Sequence, residues 1–366
     1  MNAPLRILHT EWSDGWGGQE RRVMSEMTGM LSRGHQVFLA TRPQCRIADE
    51  ARKAGIPVSE TAFRGSFDPA SILKLMRLIR TENIQIVNTH SGKDTWSGGL
   101  AAKLSGRIFV RTRHLNYPSK RNLAHFIHYL PDQIVTCGEV MRDTLIETYG
   151  FPPQQLTSIP TGIDFNRFRA VTSRDKTRAE LGIPTDSSVV LMAGIIRGVK
   201  RHEIALRGLA PLMHEGADIH LLIAGDGPMK TDMEALATSL GIGDRTHFLG
   251  FRDDLPDLMQ AADMLLLTSR SEGVPQVISQ AMGNGLAVIA TDVGGVPELI
   301  SNEETGLLVP PESPEAVTGA VRHLIDQPEL AQALESRARD YALNHLSLDA
   351  MLDRTESLYN SLLARQ

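Results

Sequence analysis

The chain has 366 residues, 42% of them hydrophobic and 22% charged, with a formal net charge of −5. That length suits two ordinary domains better than one core, the composition is that of a globular protein, and the acidity argues against a general nucleic-acid binder. No apolar run reaches the roughly 18 residues that span a bilayer, and residues 1–10 lack the basic-then-apolar order of a secretory signal.

Two cysteines, Cys45 and Cys137, make no disulfide framework, so a reducing cytoplasm is the simplest compartment. Charge is spread unevenly. Residues 1–165 carry 20 Lys/Arg against 15 Asp/Glu, and the remainder 18 against 28. The basic half either faces something anionic, such as a phosphorylated lipid or a membrane surface, or is ordinary surface composition.

In chain order, the first apolar run is 5–9. It ends in Glu11-Trp12-Ser13-Asp14-Gly15-Trp16-Gly17-Gly18-Gln19-Glu20, and a helical pattern follows over 18–33. Glycine lets backbone approach a ligand closely, and a helix N-terminus favours phosphate. The spacing is not that of a dinucleotide fingerprint. Runs at 36–40, 84–88, 108–112 and 133–137 read as further strands, with a helix over 69–82. That helix interleaves Ile72, Leu73, Leu75, Met76, Leu78 and Ile79 with Lys74, Arg77 and Arg80. It suits either packing on a sheet or lying on an anionic membrane. Polar groups gather where two strands end, at 88–96 and 111–114. There His90 and His114 suit sugar hydroxyls, a reacting group, or a purely structural role. Their spacing is not that of metal ligands, and no metal is expected.

Pro160 and Gly162 punctuate a boundary over 158–164. Beyond it, strand-like runs at 188–194, 218–224, 264–268 and 286–291 alternate with helical stretches, and 348–364 reads as a last helix. Apolar strands alternating with helices predict parallel sheets covered on both faces, and two such series predict two doubly wound domains. We divide the chain at 1–165 and 166–345, with a C-terminal helix in 346–366.

Three features in the second half carry chemistry. Arg197 and Lys200 follow a strand end, where a diphosphate could take bidentate and point-charge contacts. Gly225-Asp226-Gly227-Pro228 is a tight loop after the next strand. Then come Ser271-Glu272-Gly273-Val274-Pro275, Gln280-Ala281-Met282 and Gly294-Gly295-Val296-Pro297-Glu298. A carboxylate at Glu272 beside the amides of Gly273 and Val274 suits a polyhydroxylated sugar, and Gln280 falls about one helical turn further on.

Taken in order, these blocks resemble the retaining GT-B glycosyltransferases of family 4, the glycosyl transferases group 1 proteins. Gly17-Gly18-Gln19-Glu20 is similar to the family's GGxE loop, and Arg33-Gly34-His35-Gln36-Val37 to its RGHxV step. Residues 159–164 resemble its IPNGVD segment, with Thr161 where Asn is common. Gly225 to Pro228 resembles its GDGP loop, and Ser271 to Gly295 its SxxEGxP…EAM…GG signature.

The resemblance implies two Rossmann-like domains facing a cleft, an N-terminal one for the acceptor and a C-terminal one for a nucleotide-sugar donor, with a C-terminal helix packing back toward the first. It implies that Gly17, Gly18, Arg197 and Lys200 meet the donor diphosphate, and that Glu272, Gly273 and Val274 hold the sugar. It also implies that His114 stands beside the reacting centre; the base is expected to be read by backbone around Phe251 and Arg252. No cofactor or metal is implied beyond the donor itself. One departure stands out: the family's E-x7-E motif is E-x7-Q here, and Gln280 lacks the charge its ribose contact would use. The implied activity is transfer of a sugar, with a UDP-sugar as donor, to a glycan or lipid-linked glycan in lipopolysaccharide or surface polysaccharide synthesis, at the cytoplasmic face of a membrane. The alternatives are a non-catalytic nucleotide-sugar binder on the same fold and a sugar-nucleotide epimerase.

Overall fold

A computed structural model describes residues 3–65, 67–114 and 125–365. Seven strands form the first sheet: β1 (Arg6–Glu11), β2 (Gln36–Thr41), β3 (Val58–Glu60), β4 (Ile86–Thr89), β5 (Ile108–Arg113), β6 (Gln133–Thr136) and β7 (Leu156–Ser158). Six form the second: β8 (Ser188–Ala193), β9 (Ile219–Ala224), β10 (Thr246–Gly250), β11 (Met264–Leu267), β12 (Ala287–Thr291) and β13 (Leu307–Val309). Every pairing is parallel, in the orders β3-β2-β1-β4-β5-β6-β7 and β10-β9-β8-β11-β12-β13. In each sheet the order reverses once, between β1 and β4 and between β8 and β11. Open α/β sheets bind ligands beyond the C-terminal ends of the strands at such a reversal.

The inner strands are buried on both faces, which is why they read as continuous apolar runs. Four strands are absent from the sequence reading: β3, β7, β10 and β13. All four are sheet edges with half-buried positions that break any apolar run, and β3, β7 and β13 are also only three residues long.

Helices cover the sheets as α1 (Gly18–Ser32), α2 (Arg46–Lys53), α3 (Pro69–Thr81), α4 (Gly92–Leu104) and α5 (Glu139–Glu147) in the first half. The second half has α6 (Arg174–Glu180), α7 (His202–His214), α8 (Lys230–Ser239), α9 (Leu255–Ala261), α10 (Gln276–Gly283), α11 (Pro314–Asp326), α12 (Pro328–His345) and α13 (Leu348–Leu363). Local chemistry sets their starts. Asp68 accepts the Ser71 amide at 3.2 Å with Pro69 in the first turn of α3, and Ser313 with Pro314 does the same for α11. None of the helices, among the described residues, is long and apolar enough to cross a membrane.

The chain forms two units. One is Met1–Gly162 with Leu348–Gln366, and the other is Ile163–Ser347. In the first, α1 presents Val23, Met27 and Met30 at helical spacing to a core that includes Met351, Leu352 and Tyr359 of α13. A Cβ on Gly29 would stand 2.4 Å from Leu352 Cδ1, so a larger residue there would force the Leu352 side chain to repack between the two helices. Arg33 at the end of α1 reaches Asp353 at 2.6 Å and Glu356 at 3.3 Å. In the second unit, two apolar clusters sandwich the sheet, one under α7 and α11 and the other under α9, α10 and α12.

Candidate active site

Each unit carries polar groups at the reversal in its strand order. In the second unit they come from the segments after β8, β9, β11 and β12. The segment after β8 is seamed to the one after β9: Ile196 N–H donates to Asp226 O at 2.9 Å, and Met229 N–H to Ile196 O at 3.2 Å. The seam requires glycine. A Cβ on Gly225 would lie 1.8 Å from Gly194 O, and one on Gly227 2.3 Å from Ile196 O. The segments after β11 and β12 are joined in the same way. A Cβ on Gly294 would lie 1.9 Å from Glu272 O, and Gly295 N–H donates to Gly273 O at 2.9 Å.

These seams place Lys200 against Glu272. Lys200 Nζ donates to Glu272 Oε1 at 2.6 Å, and the Ser269 hydroxyl donates to the same oxygen. The two charged side chains are only 16% and 11% exposed. The main chain around Lys200 is anchored too: Thr268 Oγ1 donates to Arg201 O at 2.9 Å, and Arg270 N–H to Val199 O at 2.8 Å. Arg197 is exposed, and its guanidinium has no hydrogen-bond or ionic partner among the described residues. Gly273 N–H and Val274 N–H likewise donate to no protein acceptor among the described residues. The result is a half-buried carboxylate, two cations and free amides gathered at one reversal point. That set can receive a polyhydroxylated, anionic ligand.

The other residues singled out in this half stand around that point. Phe251 and Arg252 follow β10, beside the seam, since Gly250 bridges to Gly225. Phe251 is 78% exposed. Arg252 is engaged with Asp254, Nε to Oδ1 at 2.7 Å, so its guanidinium is not free. Gln280 lies half-buried on α10, and its side chain makes no hydrogen bond among the described residues.

In the first unit, carboxylates shape the loop after β1. Glu11 accepts from Ser13 N–H at 2.8 Å and from Gln19 Nε2 at 2.6 Å, while Glu20 accepts from Gly17 N–H at 2.7 Å. Burial, reinforced by Asp94, pushes the Glu11 carboxyl up to about 8. Gly18 opens α1, so its N–H is one of the donors that a helix start leaves without an intrahelical acceptor. Asp94 accepts from Thr10 Oγ1 at 2.6 Å, His90 N–H at 3.0 Å and Ser91 N–H at 2.9 Å, fixing the turn after β4.

His114 sits directly after β5. Its Nε2 is 3.1 Å from His90 Nδ1, and His90 Nε2 is 2.9 Å from His9 Nδ1. Burial depresses all three imidazoles below their usual range, and Arg22 and Arg111 add to the effect at His114. The three are neutral at physiological pH. His9, Glu11, Asp94 and Ser269 were not singled out from the sequence. The signal for His9, Glu11 and Ser269 is a polar residue inside, or just after, an otherwise apolar strand near its C-terminal end, and for Asp94 it is the Ser91-x-x-Asp94 capping pattern at the start of α4.

Two family models match the chain: Glycosyltransferase Family 4 over residues 16–167 and Glycosyl transferases group 1 over residues 173–341. The chain is 33% identical to a D-inositol 3-phosphate glycosyltransferase of Saccharomonospora viridis, over 61% of this chain and 54% of that protein. It thus spans about half the length of that relative. It is 25% identical to the UDP-Gal:alpha-D-GlcNAc-diphosphoundecaprenol alpha-1,3-galactosyltransferase of Escherichia coli, over 80% of this chain and 79% of that protein. Among solved structures, Anabaena HepE, crystallised with UDP, superposes with a TM-score of 0.86 at 20% identity, over 98% of this chain and 100% of that one. That likeness concerns the fold, which is GT-B: two Rossmann-like domains, each a parallel sheet flanked by helices. The chain belongs to the group 1, family 4 glycosyltransferases.

Proposed function

We propose that this chain is a retaining glycosyltransferase that moves a sugar from a UDP-sugar to a glycan or lipid-linked glycan. The observation that carries the reading is the Lys200–Glu272 pair, held at 2.6 Å at the strand reversal of the second unit beside the free Arg197. In this reading Arg197 and Lys200 take the donor diphosphate. Glu272 and the amides of Gly273 and Val274 hold the sugar hydroxyls. Gly225 and Gly227 let the nucleotide approach the backbone, Phe251 and Arg252 flank the base, and Gln280 meets the ribose as a neutral partner.

The bond from the anomeric carbon to the diphosphate oxygen breaks, and the bond to the acceptor oxygen forms on the same face. The leaving phosphate oxygen takes the acceptor's proton. Negative charge grows on the diphosphate as it leaves, so the cations of Arg197 and Lys200 are worth more in the transition state than in the ground state. His114 contributes a neutral imidazole at the reacting centre. No metal or cofactor is part of this scheme.

The acceptor class draws support from the Escherichia coli relative, whose name specifies a diphosphoundecaprenol-linked sugar. On α3, Leu73, Lys74, Arg77 and Arg80 are exposed together, a composition that suits peripheral contact with the cytoplasmic face of an anionic membrane. Lipopolysaccharide or surface-polysaccharide synthesis is the setting these features suit. The test is turnover by purified chain with UDP-, GDP- and ADP-sugars and a polyprenyl-diphosphate-linked acceptor. Transfer from a UDP-sugar is expected. Tight UDP binding without turnover of any donor would instead support a non-catalytic binder, the reading Gln280 favours.

A further inference from the structure

The C-terminal ends of four adjacent strands, β1, β4, β5 and β6, carry an oblique row of side chains: His9, His90, His114 and Cys137. The row is continuous. His9 Nδ1 lies 2.9 Å from His90 Nε2, His90 Nδ1 lies 3.1 Å from His114 Nε2, and His114 Nδ1 lies 3.7 Å from Cys137 Sγ. The first two rings are nearly coplanar, at 7°, as an in-plane N–H···N bond requires. The row is closed at His9, which is fully buried, and open at its other end, where His114 and Cys137 are half-exposed.

A chain of neutral imidazoles has two consistent proton arrangements, because each ring has one donor and one acceptor. The ends decide between them. At the closed end, His9 Nε2 is buried with no partner among the described residues. A proton there would be an orphaned buried N–H, which native structures avoid more strictly than an unpaired acceptor. At the open end, the Cys137 thiol donates to Arg113 O at 3.3 Å, so its sulfur is left to accept. Both ends therefore select the same arrangement. His9 Nδ1–H donates to His90, His90 Nδ1–H donates to His114 Nε2, and His114 carries its proton on Nδ1, at the open end.

We propose that His90, backed by His9, is a positioning residue that locks His114 in the Nδ1–H tautomer, so that a ligand replacing the long 3.7 Å contact to Cys137 Sγ meets His114 as a hydrogen-bond donor and not as an acid or base. The lock is a property of the first unit alone; only its use in transfer rests on the role proposed for His114 above. The groups that surround the row are Arg22 and Glu26 on α1, Asp94 on α4, Arg111 on β5 and Tyr359 on α13. Arg22 and Arg111 are the cations among them, and both disfavour protonation of His114. Asn88, Thr112 and Tyr359 form a parallel hydrogen-bonded line with Glu26 beneath the row and brace the same strand ends.

The experiment uses the full chain labelled with 15N. Long-range 1H–15N correlation spectra report which nitrogen of His114 carries the proton. In the wild type, Nδ1–H should exceed Nε2–H by roughly tenfold, the ratio expected from one unsatisfied buried group. His90→Phe removes the donor to Nε2 while keeping a ring. It should move the His114 proton toward Nε2 and slow sugar transfer about tenfold, with UDP affinity unchanged. His90→Gln, whose amide can donate to Nε2, should restore the tautomer and most of the rate. A purely structural role would rank Phe with Gln or above it. A wild-type His114 protonated on Nε2, or one unaltered by His90→Phe, overturns the lock. Should His90→Phe fail to fold, the wild-type spectrum alone decides. A normal tautomer pattern with no rate change in either His90→Phe or His114→Ala supports the lock and overturns the role of His114 at the reacting centre.

Discussion

Gly294 offers a sharp test of how the second unit places Glu272. An alanine Cβ there would lie 1.9 Å from Glu272 O, whereas Cβ contacts under 3.0 Å essentially never occur. One of the two segments must therefore move by about 1 Å. Gly294 also has φ +55°, where alanine costs roughly 1–2 kcal/mol over glycine. Forced packing adds roughly 1–3 kcal/mol, giving a destabilisation of about 2–5 kcal/mol and a fall in Tm of roughly 5–15 °C for a unit of this size. A 1 Å displacement of a positioned group costs about 100-fold in rate, so Gly294→Ala should lower kcat/KM for the donor by about that factor. The assays are a thermal melt and donor turnover at a temperature where the variant is folded. Gly319→Ala is the control: nothing lies within 4 Å of its Cβ, on the exposed face of α11. It should gain about 0.5–1 kcal/mol from helix propensity. A Gly294→Ala chain with wild-type Tm and turnover would refute the reasoning.

Two other perturbations read the first unit. Tyr359 OH donates to Glu26 at 2.9 Å and accepts from Asn88 Nδ2 at 2.9 Å, all three groups buried. Tyr359→Phe should cost about 1–2 kcal/mol in urea unfolding by removing two buried bonds and leaving Asn88 and Glu26 only the long 3.4 Å bond to each other, and an unchanged midpoint would show that the line from α13 to the sheet carries no energy. Glu11 is raised from 4.5 to about 8 by burial, so the folded chain keeps a proton that the unfolded chain releases. Stability should therefore be greatest below about pH 4.5 as far as this group is concerned, and should decline as pH rises to about 8. Glu11→Gln should flatten that decline in melts between pH 5 and 8; equal slopes for wild type and variant would contradict the assignment.

Much of the fold was legible because burial writes itself into the inner strands. Runs such as 189–193 and 264–267 are apolar throughout, since helices cover both faces of each sheet. The edge strands β3, β7, β10 and β13 left no such trace. Of the site, the sequence carried Arg197, Lys200, Glu272 and the glycine loops through their order along the chain. It could not carry the seams. That Gly294 exists to clear Glu272 O, or Gly225 to clear Gly194 O, depends on pairings between segments distant in sequence. The histidine row was invisible for the same reason. His9, His90, His114 and Cys137 come from four strands, and only the order β1-β4-β5-β6 makes them neighbours. His90 and His114 are 24 residues apart, a spacing that looks like no known ligand pattern until the sheet is assembled.

The central claim is that Lys200 and Glu272 act on a nucleotide-sugar donor, and the most direct measurement is the transfer rate of Lys200→Ala and Glu272→Ala against wild type with the UDP-sugar that the wild type uses best. Each variant leaves a half-buried charge without its partner, so folding is checked by circular dichroism alongside the rate. The account predicts folded variants whose transfer falls by about 100-fold or more, the scale seen when one group that stabilises developing charge is removed. Folded variants that transfer sugar at the wild-type rate would contradict it.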